Sequence, residues 1–297
     1  MSFSERIFRM KTTIRAYAKI NLFLDMESVR EDGYHNIISL MQSVSLCDEV
    51  TVEYMPEKEY NITISCSDQR VPCNEKNLAY KAAQIFPLNN GGIHIDIQKS
   101  IPMEAGLAGG SADAAATLIA LNELTGNMLS KNELMTLGNK LGADVPFCIA
   151  TGAAIARGTG DILEPVSPMP YLPIVIARDG EGMSTPAAYR ALDEKYDYFS
   201  EYKPKTAELE LLLSENSRYS ITEYVRGLFN IFESVVEPCR PRVPELKELL
   251  VSHGAIGAMM SGSGTSVFGI FEDEIKAKSA LESIKSTGAV AHLCYPL

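Results

Sequence analysis

The sequence predicts an α+β protein of two domains, and three observations carry that prediction. Several segments alternate apolar and polar residues in the manner of half-buried strands, and segments of helical period follow them in both halves of the chain. A chain of 297 residues is long enough for two ordinary cores. The stretch "EPVSPMPYLP" places four prolines within residues 165–173, which reads as a connection between domains.

The elements follow in order. "TIRAYAKINLFL" sends Ile14, Ala16, Ala18, Ile20, Leu22 and Leu24 one way, and Arg15, Tyr17, Lys19 and Asn21 the other, as a half-buried strand does. "EDGYH" (31–35) is a hairpin turn in which Asp32-Gly33 supplies the positive φ. "NIISLMQSVSLCDEVTVEY" reads as one or two strands and "YNITIS" as another. "EKNLAYKAAQIF" (75–86) is helical, and "GIHIDIQKS" (92–100) alternates again. A helix is expected over 112–125, ending at Gly126, and a capping box at Ser130-Lys131-Asn132-Glu133 opens another that ends near Gly142.

Beyond the prolines, "IVIA" is a short strand, with helices near 184–195, 205–214, 221–235 and 243–253. The last segment reads strand, Gly/Ser turn, strand, helix, strand. The expected division is residues 1–165 and 166–297, the second domain carrying the Gly/Ser loop 261–264.

Composition narrows the function classes. A net charge of −11, from 27 basic and 38 acidic side chains, argues against a general nucleic-acid binder. Six scattered cysteines with no C-x-x-C pair fit a reducing compartment rather than a disulfide framework. "MSFSERIFRMKTT" has no apolar core of signal-peptide length, and no run approaches membrane-spanning length. A cytoplasmic enzyme or binding protein is expected, with no membrane or nucleic-acid partner.

The stretch "PMEAGLAGGSADAAATL" (102–118) is the most informative. A helix N-terminus carries unpaired N–H groups and partial positive charge, and glycine and alanine leave the main chain open to phosphate oxygens. The spacings G-x-x-x-x-G-K-[ST] and G-x-G-x-x-G are both absent, which removes a Walker-type loop and weakens a dinucleotide oxidoreductase. Taken alone, the stretch reads better as a tight turn before a helix, since glycines before helices are common. "MMSGSGTSVF" (259–268) alone is a plain hairpin, Asp144 in "LGADVPF" alone is as much a helix terminator as a functional residue, and Lys19 alone is one residue on a solvated strand face.

In their order along the chain these segments resemble the GHMP kinase superfamily, whose ATP loop has the form P-x-x-A-G-L-A-G-G-S-x-x-A-A. "AYAKINLFL", "REDGYHNIISLMQSV", "IPMEAGLAGGSADAAATL", "LGADVPFCIATGAAIARGTGDILEPV" and "MMSGSGTSVFGIF" carry the resemblance over nearly the whole chain from about Lys11. It implies an N-terminal ribosomal-protein-S5-domain-2-like domain and a C-terminal ferredoxin-like α/β domain, with an active site in the cleft between them. The A-K-I-N-L and D-G-Y-H pair points to the branch that moves the γ-phosphate of ATP to the 2-hydroxyl of a cytidine-diphosphate-linked methylerythritol, in non-mevalonate isoprenoid synthesis.

By this resemblance Asp144 accepts the hydroxyl proton, and Lys19 keeps Asp144 ionised and polarises the hydroxyl. Pro102, Met103, Glu104, Ala105, Gly106, Leu107, Ala108, Gly109, Gly110, Ser111 and Ala112 wrap the ATP phosphates, with Mg²⁺ bridging phosphate oxygens and Ser111 a candidate metal contact. Lys99 and Asn77 contact the adenosine part. Tyr34 and His35 recognise cytosine, Tyr189 covers its other face, and Asn21 reaches the substrate.

Ala112 stands where relatives often carry a second serine, and Tyr17 where proline is usual. Asp113, close behind the loop, would repel phosphate unless it points away. The readings held against this one are a GHMP kinase for a mevalonate-type or homoserine-type alcohol, and a GHMP-fold sensor without catalysis. The absence of a transit peptide favours a bacterial source over a plastid. The oligomeric state stays open between monomer and weak dimer.

Overall fold

The computed structural model describes residues 10–213 and 221–297, so residues 1–9 of the stretch read for a leader and residue 214 of one expected helix lie outside it. Contacts gather the described residues into two units: 10–17, 47–101 and 109–150 form the first, and 18–46, 102–108, 151–213 and 221–297 the second. Two long strands, β1 (Met10–Val29) and β2 (His35–Met55), contribute residues to both.

The first unit adds β3 (Asn61–Cys66), α1 (Leu78–Ile85), β4 (Gly92–Gln98), α2 (Gly109–Leu124), α3 (Lys131–Asn139) and α4 (Asp144–Ala150). β4 pairs antiparallel with β2, from Glu49↔Gln98 to Met55↔Gly92, and parallel with β3. Alternate residues of β2 and β4, including Val50, Val52, Ile93, Ile95 and Ile97, are buried, as the period of two requires. Every side chain of α2 from Ala112 to Leu118 is buried. A helix apolar all round must be enclosed, and its alanines let α1, α3 and α4 approach closely. This helix begins at Gly109, three residues before the expected start, so Gly109, Gly110 and Ser111 lie inside its first turn.

The second unit continues with β5 (Ala153–Gly158), β6 (Ile162–Val166), β7 (Ile174–Arg178), α5 (Thr185–Lys195), α6 (Thr206–Leu213), α7 (Ile221–Tyr224), β8 (Phe229–Asn230), α8 (Glu233–Val236), α9 (Arg242–Ser252), β9 (Gly257–Met260), β10 (Val267–Ile270), α10 (Glu274–Ser286) and β11 (Val290–Cys294). β11-β7-β10-β9 form an antiparallel sheet. Val175, Ala177 and Val267 of that sheet share a core with Leu246 and Leu250 of α9 and with Ala280 and Ile284 of α10. β8 pairs parallel with β1 at Phe23↔Phe229, and β5 pairs antiparallel with β2.

The 31–35 turn forms as expected: Gly33 has φ +81°, and Arg30 N–H donates to Tyr34 O at 2.7 Å. Two readings are corrected and one open alternative is decided. β5 and β6 are unanticipated, because "AAIARG" is too uniformly small to alternate, and β6 carries Pro165 on an edge that pairs only with β5. The single helix expected over 221–235 is broken into α7, β8 and α8. The buried Asn230 makes that break: its amide donates to Met260 O at 2.7 Å and Gly262 O at 2.8 Å, which a helical residue there would forgo. Asp144 opens α4 instead of terminating a helix. No helix among the described residues is long and apolar enough to cross a membrane.

The capping box predicted at Ser130 is present in both directions. Ser130 Oγ accepts from Glu133 N, and Ser130 N–H donates to Glu133 Oε2 at 2.8 Å. Ser130→Ala is expected to lower stability by about 1 kcal/mol. Urea titration should show a lower midpoint at unchanged slope; an unmoved midpoint would mean that water replaces the cap without loss.

Candidate active site

Strand β1 changes character along its length. Up to Tyr17 it alternates as the sequence suggests, but from Ala18 both faces are covered, and Lys19 and Asn21 are 5% and 2% exposed rather than solvated. The two share a face, as i and i+2 in a strand must. Lys19 Nζ donates to Asn21 Oδ1 at 2.7 Å, Asn21 Nδ2 to Ser39 Oγ at 2.8 Å, and Ser39 Oγ to Phe23 O at 2.7 Å. Burying an ammonium carries a large desolvation penalty, so a lysine held this way is a functional candidate.

The loop 102–108 is tied to that strand, since Lys19 N–H donates to Leu107 O at 3.1 Å. On its other side stands the Gly/Ser loop. Ser261 Oγ donates to Gly106 O at 3.0 Å and accepts from Asn21 N–H at 3.3 Å, and Ser266 N–H donates to Ala105 O at 3.3 Å. A β-carbon on Gly106 would lie 2.0 Å from Ser261 O, and the residue has φ +73°, so only glycine fits. Glu104 and Ala108 are also left-handed, with φ of +48° and +58°. Such strain in non-glycine residues persists where a loop is shaped around a ligand. The sequence reading missed Ser39, Ser261 and Asn230 as supports of the site. Asn230 left one signal, a lone amide in the apolar run "LFNIF".

In the first unit, α2 starts directly after this loop. Gly110 is exposed, Ser111 half-buried, and a β-carbon on Gly110 would meet nothing nearer than Leu78 Cδ1 at 3.7 Å. The first turn of a 16-residue helix with bare glycines can receive an anion. Ala112 is 1% exposed, so the position where relatives often have a second serine faces the interior here.

Asp113 is engaged within the first unit. Its Oδ2 accepts from Lys99 Nζ at 2.8 Å, and Lys99 also bonds Asp48, whose Oδ1 accepts from Ser100 N–H at 2.5 Å and Ile101 N–H at 2.8 Å. All three side chains are buried. Burial works against the charge of Lys99, but attraction to Asp113 and Asp48 more than offsets it and holds the ammonium above its ordinary range. For Asp113, burial outweighs the pull of Lys99 and pushes the carboxyl up to about 7.

Two expected adenosine contacts therefore have structural employment. Lys99 links two carboxylates, and Asn77 caps α1, accepting from Ala79 N–H at 2.8 Å and donating to Pro72 O at 3.0 Å. Asp144 is half-buried in the first turn of α4, where the helix start favours a carboxylate. Lys19 belongs to the second unit and Asp144 to the first.

Among the base-reading candidates, Tyr34 is 66% exposed at the hairpin tip, whereas His35 is buried at 8% exposure. The Tyr189 ring lies on His35, with centroids 4.7 Å apart, and meets Phe232 edge-on at 5.0 Å. The structure thus brings His35 and Tyr189 into contact. The aromatic cover expected over a base is packed on the imidazole itself.

The comparisons with known proteins specify the class. Residues 77–152 match the model of the GHMP kinases N terminal domain, and residues 205–290 that of the GHMP kinases C terminal. A 4-diphosphocytidyl-2-C-methyl-D-erythritol kinase from Alkaliphilus metalliredigens is 43% identical over 94% of both chains. One from Caldicellulosiruptor saccharolyticus is 41% identical over 92% of both. A crystal structure of 4-(cytidine 5'-diphospho)-2C-methyl-D-erythritol kinase superposes with a TM-score of 0.78 at 31% identity, covering 96% of this chain and 99% of that one. Homoserine kinase from Cytophaga hutchinsonii, at 20% identity and a TM-score of 0.68 over 100% of this chain and 97% of that one, shares the fold. The chain belongs to the GHMP kinases and, within them, to the family of its 4-diphosphocytidyl-2-C-methyl-D-erythritol kinase relatives.

Two predictions arise from this geometry. Gly106→Ala should lower stability by about 1–3 kcal/mol, while Gly110→Ala should leave the thermal midpoint nearly unchanged; equal midpoints would refute the close approach at Ser261. The Asp113 carboxyl holds its proton more tightly folded than unfolded, moving from 3.8 to about 7, so the native state takes up protons and its stability declines as pH rises across that window. Asp113→Asn removes the decline. Relative to wild type, the variant should gain up to about 4 kcal/mol between pH 4 and pH 8, whatever its constant offset; parallel stability-against-pH curves would exclude the raised carboxyl.

Proposed function

We propose that this protein transfers the γ-phosphate of ATP to the 2-hydroxyl of 4-diphosphocytidyl-2-C-methyl-D-erythritol, within non-mevalonate isoprenoid precursor synthesis. The names of relatives at 31–43% identity support the substrate. One observation carries the chemistry: a buried lysine whose own amide is bonded to the loop shaped for phosphate.

In this reading Asp144 takes the proton of the substrate hydroxyl as its oxygen bonds the γ-phosphorus. The bond from that phosphorus to the β–γ bridging oxygen breaks, and ADP leaves. A carboxylate is a weak base for an alcohol, so positioning and charge stabilisation do most of the work. Lys19 supplies positive charge where alkoxide character develops, and Asn21 fixes its ammonium. Residues 102–112 hold the phosphates through main-chain N–H groups, and Tyr34, His35 and Tyr189 form the cytosine site. Lys99 and Asn77 act from behind, shaping the start of α2 and of α1.

The donor set suits a magnesium ion carried by the nucleotide. The Ser111 hydroxyl, in the first turn of α2, is the candidate protein contact to that ion. When bound, the ion neutralises charge on the phosphate oxygens. A bacterial cytoplasmic location fits this reading.

The test is ADP release with the cytidine compound beside mevalonate, homoserine and galactose. Turnover with the cytidine compound alone is expected, and Asp144→Asn should reduce kcat by about 10²–10⁴-fold with the fold intact. Turnover with another acceptor would reassign the substrate. ATP binding without turnover on any acceptor would make the protein a sensor.

A further inference from the structure

We propose that Asp193 is a positioning residue for base recognition: by binding His35 it fixes the tautomer of the imidazole and thereby favours cytidine over uridine. The proposal rests on the reading of His35 as part of the cytosine site. His35 Nε2 and Asp193 Oδ1 are 2.6 Å apart, and the two side chains are only 7% and 16% exposed. With the carboxylate as acceptor, this pair requires a hydrogen on Nε2. In the neutral ring Nδ1 is then an acceptor.

Cytosine presents an amino donor at its fourth position, where uracil, like thymine, presents a carbonyl acceptor. A histidine locked with Nδ1 as acceptor can bond the first and opposes the second. A free imidazole adopts either tautomer and loses that preference.

The surroundings hold the ring in one place. Tyr189 and Asp193 are four residues apart on α5, so one helix face supplies both the aromatic cover and the carboxylate. Pro186 lies in the first turn of that helix, where its missing N–H does no harm. From the segment just beyond α5, Phe199 turns its ring edge to His35, with centroids 6.0 Å apart and planes at 78°. Asp197, Tyr198 and Phe199 are all left-handed, with φ of +45°, +52° and +62°, an uncommon conformation for three successive non-glycine residues. A contiguous stretch, 189–199, therefore orients one imidazole from three sides. A carboxylate that merely fastened α5 to the hairpin would have no bearing on which base is accepted.

The experiment compares the full-length wild type with Asp193→Ala, Asp193→Asn and Asp193→Glu. Steady-state kinetics are measured for ATP, for the cytidine acceptor and for its uridine counterpart, alongside two-bond proton–nitrogen spectra of ¹⁵N-histidine-labelled protein without ligand. In wild type, His35 should show a protonated Nε2 and a bare Nδ1, and in Asp193→Ala a mixture. KM for the cytidine acceptor should rise about tenfold and the cytidine-over-uridine preference fall about tenfold in Asp193→Ala. kcat and the ATP KM should stay within about twofold, and Asp193→Glu should recover part of the loss. An unchanged His35 spectrum in Asp193→Ala, or a changed spectrum with unchanged base preference, overturns the proposal and leaves the cytosine-site reading standing. If His35→Ala does not alter the cytidine KM, that reading fails and the specificity claim falls with it.

Discussion

Gly106 and Ser261 approach so closely that one added carbon has no room between them, and much of the second unit is arranged around that contact. The Ser261 hydroxyl serves two masters, donating to Gly106 O and accepting from the amide of Asn21. The loop 102–108 is thereby set against the strand that carries Lys19, and the lysine amide closes the arrangement through Leu107 O. Asn230 braces the Gly/Ser loop from behind, through Met260 O and Gly262 O. The loop takes its shape from these main-chain bonds together with the buried side chains of Ala105 and Leu107.

The second constraint is electrostatic. A helix start that is to receive phosphate gains nothing from a nearby carboxylate, yet Asp113 lies in the second turn of α2. That side chain is bonded to Lys99, and burial raises its affinity for a proton, so its negative charge at the helix start is reduced. Asp48 completes the cluster and also binds the N–H groups of Ser100 and Ile101, which precede the loop. The cluster thus anchors the chain just before the loop through the main chain of Ser100 and Ile101.

Much of this was legible in the sequence, for identifiable reasons. Alternation in "GIHIDIQ", the Asp32-Gly33 turn and the Ser130 capping box are local signals, and the structure shows each where the residues placed it. Burial of Lys19 was not legible, because strand period reports two faces and says nothing of whether the second is covered. The path of residues 221–236 was missed because helical period there is genuine, and a buried amide with two long-range carbonyl partners overrides it. Asp193 was invisible for a related reason: "YRALDEK" reads as an ordinary exposed helix, and only the fold shows that its fourth residue after Tyr189 meets an imidazole from the hairpin 158 residues earlier.

The sharing of β1 and β2 between units has a consequence for biosynthesis. Residues 18–46 emerge early from the ribosome, but β5, β8 and the Gly/Ser loop, which pair with or bond to them, are made only after residue 150. Leu22, Phe23, Leu24 and Met26 can pair early with β2 but must wait for these later neighbours for on the order of ten seconds at ordinary elongation rates. During that interval the nascent chain offers an apolar, strand-forming segment to any chaperone or fellow chain within reach. The strands that unite the finished protein are the same ones that make its synthesis hazardous.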